Sequence, residues 1–286
     1  AGKMLQCSKC HRAWYCGPEC QKEDWKGHKK MCKQLALEFT TGKLSNVMQR
    51  MELGTVGTAG DLKRLEKAVQ VQRAQGGKTQ ALLSALALLA ETQRVAGMLN
   101  EALKNFNECV EFYKTLDRTE NYGYKSTLAR IGGIYVAQGR HAAGRPLLQE
   151  AVQHLRGDLG LSTDPTEAPG GLHRSKAQAT AELTASLNDL AEAHNALGES
   201  VPALRCWEES VAASRAAGLS EDPNVANVLG IMGLCYAQQG RLVEGLAVLE
   251  EALRIQRKHG LREAAAMTME SLALLRGAMQ TAGVPP

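Results

Sequence analysis

The chain has 286 residues, of which 44% are hydrophobic, 22% charged and only 4% aromatic. This globular composition favours stacked helices over a β-sandwich, which would need more β-branched and aromatic residues. The longest apolar run, residues 81–90, is far shorter than the ~18 residues that a membrane-spanning helix needs. The first residues are polar and contain cysteines, so we expect neither a signal peptide nor a membrane partner.

The positive charge is concentrated at the start of the chain. The net charge is +4 overall, yet residues 1–34 hold eight Lys or Arg against three Asp or Glu, and the rest is close to neutral. Five of the eight cysteines lie in the same stretch. Such clustering is typical of a metal-binding module in a reducing compartment rather than of a secreted disulfide scaffold.

Residues 7–32 contain six candidate zinc ligands, namely Cys7, Cys10, Cys16, Cys20, His28 and Cys32, whereas His11 is expected to face solvent. Gaps of two or three residues let two thiolates turn back onto one ion, and His28 and Cys32 share a face if their segment is helical. Zn²⁺ takes four nitrogen or sulfur ligands in a tetrahedron. A segment this short has no room for a hydrophobic core, so we expect the metal to drive its folding.

The order and spacing of these ligands resemble the MYND zinc finger, in the run Tyr15-Cys16-x3-Cys20-Gln21-x2-Asp24-Trp25-x2-His28-x3-Cys32. In that family, interleaved ligand pairs hold two zinc ions. The resemblance implies one complete site, formed by Cys7, Cys10, His28 and Cys32. It implies half of a second site, formed by Cys16 and Cys20. The family's other pair would precede Cys7, so we expect that an N-terminal segment is missing, and whether the second ion binds stays open.

MYND fingers bind short proline-containing peptides, and Gln21 and Trp25 match positions that line the peptide surface in relatives. The lysines of this segment recur along a short predicted helix without a pattern of base-reading Arg or Asn side chains. We therefore expect a solvated basic face that binds protein and no nucleic acid.

An internal repeat follows, anchored on glycines at 97, 139, 198 and 240, which are separated by 42, 59 and 42 residues. The longer interval contains a Pro/Gly-rich insertion at about residues 157–172. Apolar residues spaced i, i+3 and i+7 predict pairs of amphipathic helices, each pair joined by a tight glycine turn. No single pair can bury its apolar stripe, so neighbouring pairs must stack.

This pattern resembles the tetratricopeptide (TPR) repeat, with longer helices than usual. The predicted fold class is all-α: a zinc-stabilised MYND finger (1–34) followed by a TPR-like α-solenoid of helical hairpins. We expect a helical linker or degenerate first repeat at 35–82, with its turn at 54–60, then TPR-like repeats at 83–262 and a capping helix with a tail at 263–286. Cys109 and His194 occupy core positions of the repeat, so packing rather than reactivity is expected of both.

TPR arrays present a groove lined by the first helix of each pair. By family analogy the groove positions are Ala87, Glu91, Ala129, Gly133, Asn188, Glu192, Gly230 and Leu234. The lysines with which some relatives grip acidic chaperone tails are missing here. An extended peptide, a partner helix or the array's own turns remain possible occupants.

The sequence contains no metalloprotease, P-loop, serine-hydrolase or dinucleotide motif. We expect a non-enzymatic adaptor or scaffold subunit that binds other proteins through its finger and its TPR groove, as part of a larger complex. Resemblance to MYND-plus-TPR proteins implies the cytoplasm, and the cilium or axoneme within it. Two alternatives remain: a nuclear transcriptional co-regulator that recruits proline-containing motifs, and a remnant of a MYND-containing lysine methyltransferase.

Overall fold

A computed structural model describes residues 5–6, 14–15, 59–74, 79–115, 122–159 and 176–283. The chain forms two compact units, Ala1–Arg118 and Thr119–Pro286. The predicted all-α class is confirmed, with one short ladder in addition. Within these ranges, no helix has both the length and the apolar character that a bilayer crossing requires.

The first unit contains the ladder and a small helical layer. Strand β1 (Leu5–Gln6) pairs with the antiparallel strand β2 (Trp14–Tyr15). Further along lie α1 (Ala59–Ala74), α2 (Gln80–Val95) and α3 (Leu99–Thr115). The second of these helices packs against both of the others.

A hydrophobic core joins the three helices of the first unit. Leu65 of α1, Leu86 of α2 and Phe112 of α3 are all buried in it. The N-terminus of α2 is capped, because the Thr79 hydroxyl accepts a hydrogen bond from the Leu82 amide at 3.2 Å. Gly60 lies inside α1 rather than in the predicted turn. Residues 35–58 are outside the described ranges.

The second unit consists of helical hairpins followed by a final helix. Its helices are α4 (Tyr122–Ala137), α5 (His141–Asp158), α6 (Lys176–Ala196), α7 (Ser200–Ala216), α8 (Pro223–Gln238), α9 (Leu242–Lys258) and α10 (Arg262–Thr281). Consecutive helices form the hairpins α4/α5, α6/α7 and α8/α9, and α10 packs on α9 and α8. Residues 160–172 of the predicted insertion are outside the described ranges.

The four predicted turn glycines are confirmed. Gly97, Gly139, Gly198 and Gly240 have φ between +73° and +79°, a left-handed conformation that a side chain disfavours. In each turn, the amide that follows the glycine donates to the carbonyl five residues before it, as Arg140 does to Tyr135 at 2.7 Å. This is the Schellman arrangement, which satisfies carbonyl groups at the end of the first helix.

Small residues stand where the two helices of each hairpin cross. In α4/α5 and α8/α9 both residues are glycines: a Cβ on Gly144 would lie 2.7 Å from the Gly132 carbonyl oxygen, and one on Gly245 would lie 2.9 Å from that of Gly233. The other two hairpins have buried alanines at both positions. The residue types therefore match within each hairpin, as close helix contact requires.

The core of the second unit runs continuously through its hairpins. Leu187 and Trp207 of α6/α7 belong to the same buried cluster as Leu229 of α8 and Ile255 of α9. A second cluster packs α10 onto α9, through Leu272, Leu275 and Met279. A shared core of this kind is what stacked repeats need, because each hairpin alone leaves an apolar stripe uncovered.

The packed positions of the repeat are also as predicted. Cys109 is fully buried, as are its equivalents Ala151 and Ala252, and Ser210 is almost so. His194 is 7% exposed and stands where Tyr236 stands in the last hairpin.

Candidate functional site

The predicted finger residues lie outside the described ranges. These are Cys7, Cys10, Cys16, Cys20, His28, Cys32, Gln21 and Trp25. What the structure describes next to them is the ladder, in which Gln6 pairs with Trp14 and Leu5 with Tyr15. The chain therefore leaves β1 one residue before Cys7, at one end of the ladder, and leaves β2 one residue before Cys16, at the other end.

The chemistry of the donor set fits zinc. Thiolates and one imidazole are ligands that zinc prefers, whereas magnesium and calcium prefer oxygen. Four donors would complete a tetrahedron from protein ligands alone, which is typical of a structural site without an open position for a substrate. Among the residues that the structure describes, no group of three or more His, Cys, Asp or Glu side chains could hold a metal. The N-terminal cysteines thus remain the candidate metal site.

The second candidate site is the exposed side of the first helix of each hairpin in the second unit, namely α4, α6 and α8. In the first unit, α2 has the corresponding side. The eight groove positions expected from family analogy are all partly or fully exposed: Ala87, Glu91, Ala129, Gly133, Asn188, Glu192, Gly230 and Leu234. In the second unit this surface is charged on α6 and uncharged on α8.

Helix α6 presents hydrogen-bond acceptors. Asp189 lies so close to α4 that a Cβ on Gly133 would collide with its carboxylate. Glu192, one turn further along, is exposed. The side-chain oxygen Oδ1 of Asn188 is buried and accepts no hydrogen bond from the described residues. On this side of α6, the exposed Glu192 carboxylate can therefore accept hydrogen bonds from a partner.

Helix α8 contains no charged residue at all. Its exposed side combines Asn227, Gly230, Ile231, Leu234 and Gln238, which recur at helical spacing. Ile231 and Leu234 are 44% and 48% exposed, and the space beside Gly230 is open. An uncharged and partly apolar strip thus lies on this helix.

The acceptor side of α6 and the apolar strip of α8 are neighbours. The Cys235 thiol of α8 donates a long hydrogen bond of 3.7 Å to Oδ1 of Asn195 on α6. Asn195 lies one turn beyond Glu192, and Cys235 directly follows Leu234. The two sides therefore form one surface, which we call the α6–α8 face: Asn188, Asp189, Glu192, Gly230, Ile231 and Leu234.

In two of the hairpin turns an arginine stacks on a tyrosine, a pairing that was not predicted from the sequence. The Arg140 guanidinium lies over the ring of Tyr135 at 4.2 Å, and that of Arg241 lies over Tyr236 at 4.3 Å. The signal was available, because both tyrosines precede the turn glycine and both arginines follow it.

The α6/α7 turn replaces that stacked pair by a hydrogen-bonded one. His194 occupies the tyrosine position and contacts the Glu199 carboxylate through Nδ1. Arg145 of the preceding hairpin also donates to Glu199, at 2.7 Å. The hydrogen bonds from His194 and Arg145 lower the pKa of Glu199 below its usual value. His194 therefore has a structural role in the turn.

The three described cysteines are buried, unpaired and not activated. Burial raises the pKa of the Cys109 thiol to about 12 and that of Cys206 to about 11, with nearby glutamates adding to the effect. Burial also raises the pKa of Cys235. Because the thiolate is the nucleophile, these side chains are core residues rather than reactive groups.

Family models match two parts of the chain. The MYND finger model matches residues 1–32, which include all six predicted zinc ligands. A tetratricopeptide repeat model matches residues 182–258, which run from α6 to the end of α9.

A curated relative shares the finger. Histone-lysine N-methyltransferase ASHR1 of Arabidopsis thaliana is 53% identical over 32 residues, which make up 11% of this chain and 7% of the enzyme. The similarity thus covers a small part of the length of either protein.

Solved structures share the helical fold. A Podosopora anserina chain described as a kinesin light chain with nearly identical TPR-like repeats has a TM-score of 0.54 at 19% identity; the match covers 78% of this chain and 97% of that one. BtubC (BKLC) from P. vanneervenii has a TM-score of 0.51 at 15% identity, over 80% of this chain and 94% of that one. At such identities the likeness concerns the fold alone. Residues 1–32 therefore match the MYND finger, residues 182–258 match the tetratricopeptide repeat, and the helical body has the fold of TPR-like structures.

Proposed function

We propose that the protein is a non-enzymatic adaptor or scaffold subunit, which binds one partner through the finger and another through the helical body. MYND fingers and TPR repeats are both protein-interaction modules. The observation that carries the proposal is the α6–α8 face, where Ile231 and Leu234 are about half exposed although the core beneath is complete without them. Exposed apolar residues next to open space mark interaction surfaces.

Zinc would act in this proposal as a structural group. Cys7, Cys10, His28 and Cys32 would hold one ion, and its binding would supply the folding free energy that so short a segment lacks. Gln21 and Trp25 would then be presented to a proline-containing peptide. Trp25 is suited to this role, because an aromatic ring offers a flat apolar surface to a proline-rich segment.

Two observations favour binding over catalysis. The methyltransferase similarity is confined to the finger. Among the described residues, the buried thiols have raised pKa values and His194 serves the turn between α6 and α7. These observations support an interaction role in which the chemistry, if any, belongs to a partner.

Comparative affinity capture tests the adaptor role. The intact chain, a Cys32→Ser variant and an Ile231→Ser/Leu234→Ser variant are expressed in the native source, and the stoichiometric partners are quantified by mass spectrometry. We expect the two variants to lose different partners. Cys206→Ser is the matched control for the cysteine change and should lose none. If both test variants retained every partner of the intact chain, the adaptor role would be wrong.

The same experiment addresses the assembly and its location. We propose a cytoplasmic assembly, in the cilium or axoneme where the source has one. A defined set of structural subunits at fixed stoichiometry would make the protein an embedded scaffold, whereas many substoichiometric partners would make it a transient assembly factor. Imaging of the tagged chain in the nucleus, together with capture of transcription factors, would instead favour the co-regulator alternative.

A further inference from the structure

We propose that the α6–α8 face binds a cationic amphipathic segment of a partner protein, in which apolar residues recur at helical spacing among Lys or Arg. This inference rests on the proposed function and names the chemistry of the partner. It follows from three features of the face: its apolar strip, its acceptors and the place of the basic residues elsewhere.

The apolar strip provides the anchor. Ile231 and Leu234 lie three residues apart on α8, and they are 44% and 48% exposed. The absence of a side chain at Gly230 leaves open space beside them. A leucine-sized group of a partner can therefore lie against this strip and remove apolar surface from water on both sides.

The acceptors select the charge of the partner. Glu192 is exposed, and the structure shows no ion pair for it with any described residue. Its carboxylate is negatively charged and accepts hydrogen bonds. Lysine and arginine side chains are positively charged donors, so they complement it.

Several basic residues of the second unit form ion pairs away from this face. Arg156 of α5 donates to Glu209 of α7 at 2.7 Å, and Arg215 of α7 donates to Glu251 of α9 at 2.6 Å. These ion pairs join the second helices of successive hairpins. Arg130 on α4 faces Glu182 at 3.8 Å. Because Glu192 is exposed and α8 has no charged residue, the α6–α8 face presents a negative charge beside apolar surface. Such a surface attracts a cationic segment and repels an acidic one.

Peptide binding to the intact chain tests this proposal. The probe is a fluorescein-labelled synthetic peptide of Leu and Lys at helical spacing, measured by anisotropy. One comparison peptide has Glu in place of every Lys, and another has Ser in place of every Leu. We expect the Leu/Lys peptide to bind at least about tenfold more tightly than either, and to bind more weakly as the salt concentration rises.

Variants of the face then locate the binding. Leu234→Lys and Glu192→Lys should each weaken the binding of the Leu/Lys peptide by about tenfold or more. Val243→Lys is the matched control, because Val243 is 54% exposed but lies on α9, and it should bind like the intact chain. All variants change exposed residues, and circular dichroism should show an unchanged helical content.

Two results would overturn the proposal. One is Leu/Lys peptide binding that neither Leu234→Lys nor Glu192→Lys weakens, since the peptide would then bind elsewhere. The other is a Glu peptide that binds the intact chain as tightly as the Leu/Lys peptide and binds the Leu234→Lys variant differently, since the face would then accept acidic partners as well. Neither result would contradict the adaptor role, which the affinity capture tests. Conversely, the peptide can still bind the face if the capture experiment contradicts the adaptor role.

Discussion

Whether a glycine of these helices tolerates a side chain depends on what lies opposite its α-carbon. Gly230 and Gly233 are one turn apart on α8. A Cβ on Gly230 would meet nothing within 4 Å, whereas one on Gly233 would lie 2.5 Å from Cγ of Leu249. The same substitution should therefore have opposite effects at the two positions.

Gly230→Ala should stabilise the protein by up to about 1 kcal/mol, because alanine has the higher helix propensity. Gly233→Ala should destabilise it by roughly 1–3 kcal/mol, because α8 and α9 must separate to admit the methyl group. Urea unfolding followed by circular dichroism measures both. Equal midpoints for the two variants would contradict the close contact at Gly233.

The buried thiols make a prediction about reactivity. Cys109, Cys206 and Cys235 should react with a thiol reagent at pH 8 only when the protein unfolds, because burial raises the pKa of each. Adding a chelator should first release the finger cysteines, and the three body cysteines should react only after denaturant is added. Fast reaction of Cys109 in the native, metal-loaded chain would show that the repeat core is open.

At the scale of the element, side chains on the two sides of a hairpin turn contact each other, but the residue types differ between turns. Tyr236 stacks with Arg241, and its hydroxyl donates to Glu208 at 2.6 Å. Burial and this hydrogen bond raise the pKa of Tyr236 to about 12. In the α6/α7 turn, His194 and Glu199 occupy the equivalent positions and are joined by a hydrogen bond. The repeat frame predicts that these positions face each other, but which interaction joins them depends on side-chain geometry.

The link between α7 and α8 predicts a pH dependence. Arg254 and Lys258 of α9 both donate to Glu221, at 3.0 and 3.3 Å, and Arg254 in particular lowers the pKa of Glu221 to about 2. A lowered folded pKa means that the ionised side chain stabilises the fold above the unfolded value. This contribution should be complete above pH 4.5 and disappear as the pH falls toward about 2.

Glu221→Gln should therefore lower the melting temperature at pH 7, and its difference from the parent chain should vanish between pH 4.5 and about 2. Taking the difference cancels the acid loss of zinc, which affects both chains equally. Glu270→Gln is the control, since Glu270 is exposed on α10 and forms no ion pair with the described residues. A difference that grew on acidification would contradict the assigned pair.

For the whole molecule, the decisive distinction is what holds each module together. The second unit has its own continuous core, whereas the finger is expected to depend on zinc for its folding. Cys32→Ser should reduce the zinc content by one ion per chain and leave the thermal unfolding of the helical body unchanged. Cys206→Ser should retain the zinc. If the body transition also fell in Cys32→Ser, the finger would be part of the folding unit of the repeats.

The repeat architecture was predictable because its signals are local. Apolar spacing predicts a helix, a glycine predicts a hairpin turn, and the recurrence of both predicts a repeat. Gly139 and Gly240 could therefore be identified as turn residues without knowledge of any tertiary contact. The packed state of Cys109 followed from its place in that frame. The zinc ligands are similarly a matter of residue type and spacing, and they stay a prediction for the finger.

The binding face, by contrast, needed the tertiary structure. Ile231 and Met232 are adjacent apolar residues of one helix, yet the first is 44% exposed and the second 4%. Asn188 lacks a hydrogen-bond donor only because of how α6 is packed, and Arg145 meets Glu199 across 54 residues of sequence. The sequence by itself determined the class of fold and predicted the kind of metal site, since both depend on short-range patterns of residues. Which side chains remain exposed, unpaired or joined across hairpins is decided by long-range packing, which no local pattern specifies.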